Sequence, residues 1–143
     1  MDKHSYVSLI EKNFQKSEYI TIGQKSFKML WNPKNYKGDA KLFCFVLGDE
    51  NASDSLFDSL CSYAKSIAFY DDPQSRSKIY VAAIFVTNNF VKLEKGQKFG
   101  GVYFLPASFA LEKGELKLAD KFPLLSKSAF SELYDFSKKC FKI

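Results

Sequence analysis

Histidine is nearly missing from this chain of 143 residues, and His4 stands alone close to the amino terminus. Ser-His-Asp and Cys-His catalysis on a rigid scaffold are therefore not expected, and a histidine-based metal site has no partners to build on. Arginine is scarcer than the basic total suggests, because Arg76 is the one arginine among 21 basic residues. Lysine is a compact point charge without the planar fork that reads base edges, so sequence-specific DNA recognition is disfavoured while contact with phosphates is not.

Glycine is sparse, and Gly23, Gly38, Gly48, Gly96, Gly100, Gly101 and Gly114 fall into neither a G-x-G-x-x-G nor a Walker pattern. Nucleotide binding through those motifs is excluded. The cysteines, Cys44, Cys61 and Cys140, are odd in number, widely spread and set among apolar neighbours, which fits reduced core residues. No apolar run approaches the roughly 18 residues that cross a bilayer; the longest, Ile79–Thr87, has the length of a buried strand. The polar start, Met1–Glu11, lacks the basic-then-apolar layout of a secretory signal, so a cytoplasmic location is expected, with no membrane partner and no cofactor.

What is abundant is aromatic: 15 Phe and 8 Tyr lie within a hydrophobic content of 46%. That composition belongs to a folded globule, and the length suits one domain spanning residues 1–143. Tyr6, Leu9, Ile10 and Phe14 recur at helical spacing, with Asp2 or Ser5 available as N-cap. A hairpin follows, Tyr19–Ile22 and Ser26–Trp31 around Gly23, and Asn32-Pro33 stops its second strand. Leu42–Leu47 is a buried third strand. A second helix, capped by Ser53 or Ser55, carries the apolar stripe Leu56, Phe57, Leu60, Cys61, Ala64, Ile67 and Ala68.

Ile79–Thr87 is apolar on both faces, as a central strand would be. Short strands are expected at Phe90–Leu93, Val102–Leu105, Ser108–Leu111 and Glu115–Leu118, then a C-terminal helix through Phe130, Leu133, Tyr134 and Phe141, capped by Ser126 or Ser128. The expected fold is α+β: a single mixed sheet in the order α-β-β-β-α-β, followed by short antiparallel strands and a C-terminal helix, with the helices packed on the sheet.

The net charge of +5 is unevenly spread, with +4 over residues 25–41, −5 over 42–72 and +6 over 73–143. The first basic stretch interleaves lysine and aromatic residues: Lys25, Lys28, Lys34, Tyr36, Lys37 and Lys41 are the candidate nucleic-acid-binding residues. Lysines neutralise phosphates while an exposed ring stacks on unpaired bases, which is how non-specific single-strand binders work. The leading expectation is a non-catalytic domain contacting nucleic acid or another polyanion. The alternative is a protein-interaction module, an adaptor, inhibitor or small chaperone, using the acidic edge of helix two or an uncovered strand.

A third reading comes from the element order together with Asp39-Ala40-Lys41, which leads into the third strand, and Ile84–Phe90. These features resemble the core of the restriction-endonuclease-like families, Mrr-like members among them. The resemblance implies an acid on the second strand and a D/E-x-K on the third, together holding Mg²⁺. Ser26–Trp31 contains no carboxylate, and Asp39–Lys41 stands at the strand entrance, so the match is partial.

Overall fold

The computed structural model describes residues 1–33, 40–50, 52–71, 73, 74 and 77–143. Among the described residues, three helices and seven strands form an α+β arrangement on a single mixed sheet, in agreement with the expected class. Helix α1 (Lys3–Glu11) begins at Asp2, whose carboxylate accepts a hydrogen bond from the Ser5 amide at 2.7 Å. That contact satisfies one of the orphan donors of the first turn. Strands β1 (Lys16–Ile22) and β2 (Lys25–Trp31) pair antiparallel around a two-residue turn, and Gly23 takes the left-handed conformation (φ 64°) that the turn requires.

β3 (Ala40–Leu47) pairs antiparallel with β2 and parallel with β4 (Lys78–Thr87), the crossover being helix α2 (Asp54–Asp71). The Ser53 hydroxyl caps α2 by accepting from the Leu56 amide at 3.1 Å. β4 then pairs parallel with β6 (Val102–Ala110), which carries β5 (Gln97–Phe99) and β7 (Glu115–Leu118) antiparallel on its far side. A single 3-10 turn, Leu124–Ser126, leads into the last helix, α3 (Lys127–Phe141).

Alternation along the strands divides the core into two layers. Phe43, Phe45, Val81, Ala83, Phe85 and Phe104 point to the α2 side, where Phe57, Leu60, Cys61 and Ala64 cover them. Leu42, Cys44, Ala82, Ile84 and Phe109 point to the other side, under Tyr6 and Ile10 of α1 and Leu133, Phe136 and Phe141 of α3. β3 and β4 are apolar on both faces because both faces are covered, as parallel strands require. All three cysteines are buried and unpaired, as expected for core thiols. No helix among the described residues is long and apolar enough to cross a membrane.

Three details of the strand map differ from expectation, the first being β5, which is not among the expected strands. Val102–Leu105 and Ser108–Leu111 are one continuous strand, β6, with Pro106 inside it. Pro106 lies between the stretches paired to β5 and to β7, and its carbonyl accepts from Ala119 on that side. Its missing N–H therefore falls where no ladder partner needs it. Phe90–Leu93 is not a strand: Val91 and Leu93 pack on the α2-side core, and the Val91 amide donates to the buried Ser108 hydroxyl at 3.1 Å.

Candidate nucleic-acid interface

The parallel register places the amino ends of β3, β4 and β6 side by side, with Ala40 opposite Lys78 and Tyr80 opposite Tyr103. α2 runs back over the sheet, so its carboxyl end arrives at the same edge. Where these meet is an open groove of about 800 Å³, whose lining includes Lys41, Lys65, Phe69, Lys78, Gly100 and Tyr103. Both Lys78 and Ile79 line it, although successive strand side chains start on opposite faces, so the groove wraps over the end of the sheet.

Lys41 is the unusual member. It is only 8% exposed, and among the described residues it makes no ion pair or hydrogen bond. Alternation puts it on the α2 face with Phe43 and Phe45, so its stem lies against core while its head meets the groove. Lys65 and Lys78 stand exposed at the rim. The Lys65 ammonium donates to the Gly100 carbonyl at 3.1 Å, tying α2 to the β5–β6 turn.

That turn is Gly100-Gly101, with φ of 55° and 83°, a pair of left-handed residues that L side chains rarely adopt together. Phe69 offers a ring that is 48% exposed. Lys98 holds its ammonium 4.7 Å from the centre of the Tyr103 ring, adding positive charge beside the groove. The lining described contains three lysines and no carboxylate.

Among the described residues singled out from the sequence, Lys25 and Lys28 lie away from Lys41. Lys28 is opposite Val46, five positions and roughly 17 Å along β3 from Lys41. It points to the other face of the sheet, where it pairs with Glu11 and lies over the Tyr19 ring. Lys25 is further along β2 again, in a second depression with Lys3, Asp49 and Glu50. Lys34, Tyr36 and Lys37 lie outside the described residues. Of the three that are described, Lys41 lines the groove and Lys25 and Lys28 do not. Sequence reasoning passed over Lys65, Lys78, Phe69 and Tyr103, which become neighbours only once the strand order is known.

The nuclease-like arrangement finds little to build on. Asp39 lies outside the described residues, and Asp49 and Glu50 follow the far end of β3, whose last residue, Leu47, is roughly 20 Å from Lys41 at about 3.3 Å per residue. Among the described residues no three His, Cys, Asp or Glu side chains gather to hold a metal ion.

The thiols are set apart from chemistry. Burial raises the pKa of all three, Cys140 to about 12, and at Cys44 the neighbouring Cys140 adds a lesser upward push. A thiol is a poor nucleophile until it ionises, so these cysteines pack and do not react. No family model, curated protein or solved structure matches this chain, so the reading of the groove rests on its own geometry.

Proposed function

We propose that the protein is a non-catalytic binding domain that takes nucleic acid or another polyanion through its phosphates, at the groove over the amino ends of β3, β4 and β6. The observation that carries this reading is Lys41. Its stem is packed against the core while its head meets the groove, which fixes a positive charge where an incoming anion can pair with it. Lys65 and Lys78 extend the positive field to the rim, and the half-exposed Phe69 ring supplies a stacking surface. Lys34, Tyr36 and Lys37 precede Lys41 in sequence and join the proposal on that ground alone. A cytoplasmic location belongs to the same proposal and is supported by three unpaired cysteines.

Fluorescence anisotropy with a labelled single-stranded oligonucleotide tests the reading. Neutralising three phosphates predicts that the logarithm of the binding constant falls with the logarithm of salt at a slope of about −2. An oligonucleotide that stays free at low salt, or binds without salt dependence, overturns it.

A second reading, a protein-interaction module, draws on Leu124 and Leu125, which are 85% and 103% exposed side by side in the 3-10 turn. Adjacent bare leucines are the kind of anchor a partner's pocket buries. If they serve that role, a co-purifying protein is released by Leu124→Ser with Leu125→Ser; a partner retained by the double variant rules out this anchor.

A further inference from the structure

We infer that β1 is a docking edge for a second copy of this chain, the two β1 strands pairing antiparallel about a twofold axis so that the sheets join. The inference is independent of the polyanion reading. In the strand order β1 stands at one end of the sheet, and among the described residues it pairs with β2 alone. It runs for seven residues, Lys16–Ile22, in unbroken register, and contains Tyr, Thr and two Ile, which favour strands. Sheet edges are ordinarily blunted by shortness, proline or bulges. The far edge is blunted in that way, β5 having three residues and β7 four. β1 is long, has no proline, and carries its one lysine at its first position.

The pairing with β2 fixes which backbone groups of β1 face outward. The two-residue turn closes on the pair Ile22 and Lys25, which in such hairpins is hydrogen-bonded. Hydrogen-bonded and open pairs alternate along an antiparallel ladder, so Ile20, Glu18 and Lys16 also direct their N–H and C=O groups to β2. Ser17, Tyr19 and Thr21 therefore turn theirs away from the sheet, and no described strand meets them.

That row of three is self-complementary. With Tyr19 of one copy opposite Tyr19 of the other, Ser17 faces Thr21 at each end, and about six hydrogen bonds form between outward groups. The Tyr19 ring, 75% exposed in the single chain, becomes the cross-strand neighbour of its counterpart. On the α2 side, where Ile20 packs, Glu18 of one copy lies opposite Ile20 of the other. β1 holds one lysine and one glutamate in a chain of net charge +5, so the strand itself adds no net repulsion between copies. The contact spans about 23 Å, and the two Glu18 carboxylates come diagonal to each other. Association is thus weak, below the roughly 1,200 Å² of a standard interface.

Sedimentation velocity on the full chain over a range of concentrations tests for the dimer, expected with a dissociation constant in the micromolar to millimolar range. Amide hydrogen exchange locates it. The amides of Ser17, Tyr19 and Thr21 are expected to slow several-fold as the dimer fills, while those of Glu18 and Ile20, already bonded to β2, change little. Tyr19→Lys sets two ammonium groups directly opposite each other and is expected to weaken the dimer about tenfold. Glu18→Gln removes the diagonal repulsion and is expected to tighten it about twofold.

A monomer at millimolar concentration overturns the inference and leaves the polyanion reading untouched. A dimer in which Ser17, Tyr19 and Thr21 exchange as fast as in dilute protein overturns it too, as does one that Tyr19→Lys leaves intact. Weaker association of Glu18→Gln contradicts the register, and with it the inference. Should Tyr19→Lys fail to fold, the exchange of the three amides in the unaltered protein decides.

Discussion

Replacing Lys41 by methionine separates a structural lysine from a ligand-binding one. Methionine keeps most of the aliphatic stem that lies against the α2-side core and deletes the ammonium. The ammonium reaches the groove and is not enclosed, so deleting it returns only a small desolvation cost, on the order of 0.5 kcal/mol. Against that stands the lost attraction to the carboxyl end of α2, about 0.3–1 kcal/mol for a cation near a helix terminus. The two nearly cancel, so the variant is expected within about 1 kcal/mol of the unaltered protein, a change in melting temperature of no more than about 4 °C. Thermal unfolding followed by circular dichroism, with the midpoint in urea as a second measure, gives the sign. Stability that is held while oligonucleotide affinity is lost is the signature of a residue kept for function. A loss of 2 kcal/mol or more would refute the reasoning, because it would mean that Lys41 is held by interactions internal to the fold.

Other parts of the structure make their own predictions. Phe57 is fully buried and packs on Phe85, Phe99 and Phe104, so Phe57→Ala should cost about 3–5 kcal/mol in urea unfolding, and a loss below about 1 kcal/mol would contradict this packing. The Tyr6 hydroxyl donates to the Phe141 carbonyl at 2.6 Å and fixes α1 to the end of α3; Tyr6→Phe should cost about 1 kcal/mol and speed hydrogen exchange at the α3 terminus. The cysteines should resist a thiol reagent at pH 8 in the folded protein and react in full in denaturant; fast labelling without denaturant would refute their burial. Their folded pKa values lie above the unfolded value of 9.0, so the unfolded chain releases its thiol protons first. Their contribution to stability is complete below pH 9 and is lost as pH rises through about 12, the value for Cys140, which an alkaline stability series can follow.

The sequence carried much of this fold because its local signals agreed with its global ones. The period-two pattern of Phe27, Met29 and Trp31, the glycine at 23 and the apolar stripe from Phe57 to Ala68 each point to the element that forms. The apolar runs at β3 and β4 identify strands covered on both faces. Where the reading failed, tertiary context decided. Phe90–Leu93 has strand-like composition, yet its amide at Val91 is satisfied by the Ser108 side chain instead of a ladder. Pro106 would ordinarily interrupt a strand, and it is tolerated because β5 and β7 leave that position unpaired. β5 is three residues long with one lysine and one glutamine, too short and polar to signal itself.

The candidate site was legible only in its first residue. Lys41 stood out for its place in a lysine-rich stretch, but its burial depends on α2 lying above it. Lys65, Lys78 and Tyr103 are spread over some forty residues of sequence and converge because β3, β4 and β6 run parallel and start level. Contiguity in sequence instead suggested Lys25 and Lys28, which the antiparallel β2 carries to the other end of the sheet.

The location of binding is the most direct test of the polyanion reading. A titration of isotope-labelled protein with a single-stranded oligonucleotide, followed by amide chemical shifts, reports it residue by residue. Shifts are predicted at Lys41, Phe69, Lys78 and Gly100 to Tyr103, growing with added oligonucleotide and collapsing in high salt, while Lys25, Lys28, Asp49 and Glu50 stay still. Shifts confined to the Lys25–Lys28 end, or a spectrum unmoved at low salt, would contradict it.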